Sequence, residues 1–167
     1  MSTSQMTPAP LASILADEPR RWFLGTQAWI RVGSEHSGGS LAIVEQAIPA
    51  GAESPWHVHR TQDESFYVLD GQVTVIVGEQ RWTLGPGDYA FGPREVPHGF
   101  RIEGHTPARL LLICTPGAGF DRFIHEASEP ATAPGFPPPE PPDVARLARL
   151  AAEAGNEVLG PLPELLL

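Results

Sequence analysis

A single cysteine, Cys114, in 167 residues leaves no internal disulfide to form, and a chain held without one suits a reducing compartment. Positive charge is scarce as well. Eleven basic residues face twenty acidic ones, a formal net charge of -9. Nucleic acids and anionic membranes both recruit basic patches, so neither is expected as a partner. No apolar run approaches the ~20 residues that span a bilayer. Residues 1–10 are polar and broken by proline, which is not the basic-then-apolar pattern of a leader. The expectation is a soluble, cytoplasmic protein.

Turn residues, by contrast, are plentiful. Nineteen prolines and seventeen glycines are too many for a helical bundle and suit a turn-rich β protein. The length is that of one domain with a core of its own. Residues 1–20 read as an N-terminal arm, and 22–32 as a strand carrying Trp22, Phe23, Trp29, Ile30 and Val32. A polar loop, 33–39, separates it from a second strand over 41–48. After Glu64 strands follow at short intervals, 66–69, 73–77, 81–84, 89–91, 97–102 and 108–115, with Asp70-Gly71 marking a hairpin. Many short strands with Gly/Pro turns indicate a sandwich or closed barrel.

Beyond Pro116 the texture changes. Phe120, Phe123 and Ile124 lie at helical spacing, so a short helix closes the barrel unit at 21–127. Residues 128–142 read as a proline-rich linker. Asp143 then caps a helix over 144–154 whose narrow apolar stripe, Leu147, Leu150 and Ala151, docks on a neighbouring surface. The remainder of 143–167 is apolar enough to pack on the barrel or on a partner subunit. A homodimer is expected, with the strand at 22–32 and this tail as its symmetric surfaces.

The chemistry concentrates in residues 51–71, GAESPWHVHRTQDESFYVLDG. Residues i and i+2 of a strand share a face, so His57 and His59 present two imidazoles together while Trp56 and Val58 point away. Glu64 follows a polar connector, Arg60-Thr61-Gln62-Asp63, and begins the next strand-like run. A chain that folds back there brings a carboxylate to two imidazoles, the ligand set of a catalytic divalent metal. Ligand type alone admits Fe, Mn, Ni, Co, Cu and Zn.

The spacing Gly51-x5-His57-x-His59-x4-Glu64-x6-Gly71 resembles the first motif of the cupins, and Gly87, Asp88, Pro93 and His98 resemble the second. The chain departs from that second motif at Glu95 and Ile102, where the family carries a glycine and an asparagine that shape turns. The resemblance implies an all-β fold, the cupin double-stranded β-helix or jelly-roll barrel, here with short C-terminal helices. It also implies one metal per chain held by His57, His59, Glu64 and His98. The order of segments further resembles bacterial single-cupin proteins described as quercetin 2,3-dioxygenase-like.

His36, His105 and His125 read as surface or capping residues. Phe66 shares the parity of Glu64, and Phe100 that of His98, so both point inward if the ligands do. With Trp29 and Phe91 they are the expected substrate-pocket residues, apolar walls for an aromatic or polyketide-like small molecule. Glu64 is the candidate catalytic base. Three functions are carried forward. The first is a metal-dependent dioxygenase using O2 on an enol or phenol. The second is a redox-neutral cyclase, isomerase or decarboxylase of secondary metabolism. The third is a non-catalytic small-molecule-binding protein.

Overall fold

The computed structural model describes residues 11–12, 19–117 and 119–164. Most of the expected arm therefore lies outside the described residues. The stretch expected as one strand near the start is a hairpin. Strands β1 (Arg21–Phe23) and β2 (Thr26–Val32) are joined at Leu24 and Gly25, both at positive φ. A short helix, α1 (Ser34–Ser37), precedes β3 (Ala42–Ile48). Then come β4 (Trp56–His59), β5 (Asp63–Asp70), β6 (Val73–Val77), β7 (Gln80–Leu84), β8 (Tyr89–Gly92), β9 (His98–Ile102) and β10 (Ala108–Thr115). The chain ends with α2 (Phe120–Glu126), β11 (Ser128–Pro130), α3 (Val144–Glu153) and β12 (Asn156–Gly160).

The strands form two antiparallel sheets that face each other. One runs β11-β1-β2-β3-β10-β5-β8 and the other β12-β4-β9-β6-β7. Alternation sets the core. In β10 Ala108, Leu110, Leu112 and Cys114 are buried while Arg109, Leu111 and Ile113 stand on the outer face. Phe66, Val68, Val75, Ile48 and Phe100 meet them from the other strands, each large side chain contributing about 1.5–3 kcal/mol of burial. The Asp70-Gly71 turn tolerates no side chain at its glycine. Gly71 sits at φ +82, and a Cβ there would lie 2.7 Å from the Ala108 backbone.

The proline-rich stretch begins as structure. Ser128–Pro130 pairs with β1 as the edge strand of the larger sheet, where proline's missing N–H leaves no ladder bond unmade. This covers the edge of the arm strand from within the chain. Asp143 caps α3 as expected, its carboxylate accepting the Arg146 N–H at 2.9 Å. The tail then adds β12 to the edge of β4. Both surfaces expected to meet a partner subunit thus have intramolecular neighbours.

Candidate metal centre

The site bridges the two sheets. His57 and His59 alternate on the inner face of β4, and His98 pairs across the ladder with His57. Glu64 comes from the opposite sheet, on β5, flanked by Gly92 of β8 and Cys114 of β10. Glycine at 92 provides the room. A Cβ on it would stand 3.1 Å from His98 Nδ1.

One carboxylate oxygen collects the imidazoles. Glu64 Oε2 lies 3.0 Å from His98 Nε2, 3.4 Å from His59 Nε2 and 3.9 Å from His57 Nε2. The four potential ligand atoms all lie within 4.8 Å of one another. His59, His98 and Glu64 are buried, and His57 is the half-buried member nearest solvent.

The outer ring nitrogens fix the tautomers. His57 Nδ1 is 2.8 Å from the Pro55 carbonyl, and His98 Nδ1 is 2.9 Å from the Val96 carbonyl. His59 Nδ1 is 3.2 Å from the carboxamide oxygen of Gln62. Each acceptor takes an Nδ1–H donor, so Nε2 is the nitrogen each ring would offer an ion on giving up any proton it shares with Glu64. Burial holds His59 down to about 4, the Glu64 charge only partly offsetting it, so this ring is neutral near pH 7. For His57 burial acts the same way, but the Glu64 carboxylate outweighs it and raises the pKa. Burial opposes the charge on Glu64 too, yet the imidazoles hold its carboxyl well below the usual carboxylate range. Three inward-facing Nε2 atoms and one carboxylate fit a divalent first-row metal.

A cavity of about 290 Å³ opens over the group. His57, His59 and Glu64 form its polar end, and Ile48, Phe100, Leu112, Phe120 and Leu147 are among its apolar walls. Of the expected pocket residues, Phe100 lines the cavity. Phe66 is fully buried behind it, its ring 5.8 Å from His98 and 6.1 Å from Phe100. Trp29 and Phe91 are corrections. Trp29 pairs with Glu45 on the outer face of β2, under the Arg31 guanidinium. Phe91 pairs with Ser65 and is exposed beside Trp82 and Tyr89 in a separate surface recess. Both have the parity opposite to their buried neighbours, Ala28 and Ala90, and that parity excludes them from the interior.

Sequence reasoning missed two sets of residues. Gln62, read as part of a polar connector, is fully buried and orients His59. Its position three residues after a candidate ligand was the available signal. The tail also reaches further than expected, with Val144, Leu147, Ala148 and Ala151 of α3 and Asn156 and Val158 of β12 all lining the cavity. The α3 stripe signalled docking without naming its surface, and nothing in the sequence marked β12. His125, on α2, is exposed and lies outside the lining.

Comparison with known proteins names the fold. Residues 44–114 match the family described as "Cupin domain". The stretch 44–114 is a cupin domain. Quercetin 2,3-dioxygenase of Bacillus subtilis (strain 168) is 28% identical over 108 residues, which are 65% of this chain and 32% of that protein. The match therefore spans about a third of the dioxygenase's length. Tetracenomycin polyketide synthase protein TcmJ of Streptomyces glaucescens is 27% identical over 104 residues, 62% of this chain and 68% of that one. Among solved structures, KdgF from Halomonas sp. superposes with a TM-score of 0.59 at 21% identity, covering 65% of this chain and 94% of that one. That likeness concerns the fold. No described helix of the cupin is long and apolar enough to cross a membrane.

Proposed function

We propose that this cupin is a metal-dependent enzyme acting on a small enol or phenol, a quercetinase-like dioxygenase in the first reading. The observation that carries it is the convergence of His57, His59, His98 and Glu64, three of which, His57, His59 and Glu64, line one end of a mostly apolar cavity. These four residues would hold the ion. When bound, a divalent ion on three neutral imidazoles and one carboxylate keeps a net charge of about +1 and supplies Lewis acidity toward an enol or phenol oxygen, with electron transfer to dioxygen if it is redox-active.

The protein's own groups do the rest. The apolar walls bind the ring and exclude water from the reacting oxygen. Glu64 is the candidate base for the substrate hydroxyl; its lowered pKa makes it a weak one, so the transfer would depend on the acidity that a bound ion lends the hydroxyl. Phe66 backs both His98 and Phe100, its ring edge-on to each. The 28% match to a quercetin 2,3-dioxygenase supports the oxygen-dependent reading. The likeness to a tetracenomycin polyketide synthase protein favours a second one, redox-neutral chemistry on a polyketide-like enol. A homodimer belongs to this proposal, and a monomer mass by light scattering would remove it.

The test loads the protein anaerobically with Fe, Mn, Ni or Co, measures metal content, and follows oxygen uptake with quercetin, catechols and enols. Uptake that requires both metal and substrate supports the dioxygenase. Metal near one per chain with substrate conversion and no uptake selects the redox-neutral enzyme. Metal near one per chain with neither uptake nor conversion leaves a binding protein.

A further inference from the structure

Asn156 opens β12 and pairs with His59, so the two side chains share the inner face. Cross-strand neighbours of this kind have Cβ atoms about 5 Å apart. Asn156 lines the cavity and is 7% exposed. Among the described residues its Oδ1 is a buried oxygen with no hydrogen-bond partner.

Of the other polar groups of the wall, Glu53 is exposed to solvent, and Thr26, Gln46 and Ser54 have partners within the protein. Thr26 Oγ1 donates to the Phe23 carbonyl at 2.6 Å, and Gln46 Nε2 donates to Thr26 Oγ1 at 2.8 Å. Ser54 Oγ accepts the Phe100 N–H at 3.0 Å. Asn156 differs from them. A carboxamide oxygen only accepts, and a buried acceptor without a donor is unfavourable until something supplies one. Asn156 stands beside His59 on the cavity wall, so a turn of its carboxamide would bring Oδ1 toward a molecule held at the histidine–glutamate group.

We propose that Asn156 is a specificity-determining positioning residue whose Oδ1 accepts a hydrogen bond from a hydroxyl adjacent to the oxygen that faces His57, His59, Glu64 and His98. The ligand class is then a ring-borne vicinal diol or enediol, the ring lying against Ile48, Phe100, Leu112 and Phe120. This rests on the metal-site reading above. The acceptor comes from β12, outside the stretch 44–114 that matches the family, so it is a feature of this chain's tail rather than of the barrel motif.

The test uses the full chain loaded with zinc, which is redox-silent and leaves the probes unoxidised. Zinc content is measured first. Fluorescence titrations then compare 2,3-dihydroxynaphthalene with its monomethyl ether, 3-methoxy-2-naphthol, for wild type, Asn156→Leu and Asn156→Asp. The expected result is that Asn156→Leu lowers the diol-to-ether affinity ratio about tenfold, the size of one lost hydrogen bond. Zinc content and ether affinity stay as in wild type. Asn156→Asp keeps an acceptor in place and keeps the ratio. An unchanged ratio in Asn156→Leu overturns the proposal, because the preference would then come from the metal alone. Equal weakening of both probes overturns it too, since Asn156 would only shape the wall, and so does binding of neither probe by zinc-loaded wild type. Wild type that takes up no zinc overturns the metal-site reading itself, and this inference with it.

Discussion

The cupin stretch, 44–114, and the chain after Gly117 build the same cavity with different materials. The first supplies all four potential metal ligands, and it places them by strand parity and ladder register. Among its described residues the second supplies no ligand. It contributes Phe120, Phe123 and Ile124 from α2, four side chains from α3, and Asn156 and Val158 from β12. The donor set thus belongs to the barrel, while much of the size and polarity of the space above it belongs to the tail. A family match limited to the barrel therefore speaks to the metal centre and says little about the molecule that binds there.

The largest expected effect falls on the barrel side. Replacing His57 and His59 together with alanine removes two of four donors, and metal content should drop from about one ion per chain to near none. The melting transition should remain cooperative, because the sheets are held by the apolar core. Stoichiometric metal in that variant, by elemental analysis, would end the assignment. Next comes Gln62→Leu, which removes the acceptor that orients His59. Loss of such a partner should weaken metal binding about 10–100-fold. Competition with a chelator checks it, and an unchanged affinity would reduce Gln62 to a packing residue.

The contrast between barrel and tail also explains what could be read from the sequence. Periodicity of two, the paired glycines and the spacing of His57, His59, Glu64 and His98 are local signals, and the barrel and its ligand group were legible through them. Parity was equally available for Trp29 and Phe91, whose buried neighbours Ala28 and Ala90 give their faces away. Their aromatic character hid it. The turn at Leu24-Gly25 was obscured because Leu24 adopts positive φ without glycine's freedom. Glu95 is a similar case. It stands at φ +67 where the family's motif carries glycine, donates its N–H to the His59 carbonyl at 2.7 Å, and keeps the loop in its turn despite the substitution. Gln62 had a local signal, its place three residues after His59, but β12 and Asn156 were out of reach for a different reason. Their roles depend on a strand pairing and a buried neighbour far along the chain, which no local pattern encodes.

On the tail side, Ala148→Trp should act on ligand and spare metal. Ala148 is an exposed position of α3 at the cavity wall, so a large ring there obstructs the mouth at about 0.5 kcal/mol of helix propensity. The expected outcome is about tenfold weaker binding of 2,3-dihydroxynaphthalene with zinc content unchanged. Loss of zinc as well would show that the tail supports the ligands directly, and the division of labour would fail.

The smallest effect tests whether the inner face of the barrel matters, as opposed to membership in it. Glu45 lies within 44–114 but points outward, its side chain 8% exposed between two guanidiniums. Arg31 bonds Oε2 through Nε and Nη2 at 3.1 and 2.8 Å, and Arg109 takes Oε1. Burial alone would raise the Glu45 pKa, but the Arg109 and Arg31 guanidiniums outweigh it and hold the carboxyl below its ordinary value. A depressed carboxylate stabilises the fold above the unfolded-state value near 4.5, and that contribution fades as pH falls through the lower folded value. Glu45→Gln should therefore lower Tm by about 2–4 °C at pH 7, equivalent to about 1 kcal/mol once the half-exposed Arg109 is discounted for solvent screening. The gap to wild type should hold down to about pH 5 and shrink below it. Metal content and diol affinity should match wild type throughout. A drop in either would mean that the outer face of these strands is coupled to the centre, and that position on the inner face is not what assigns a residue to the chemistry.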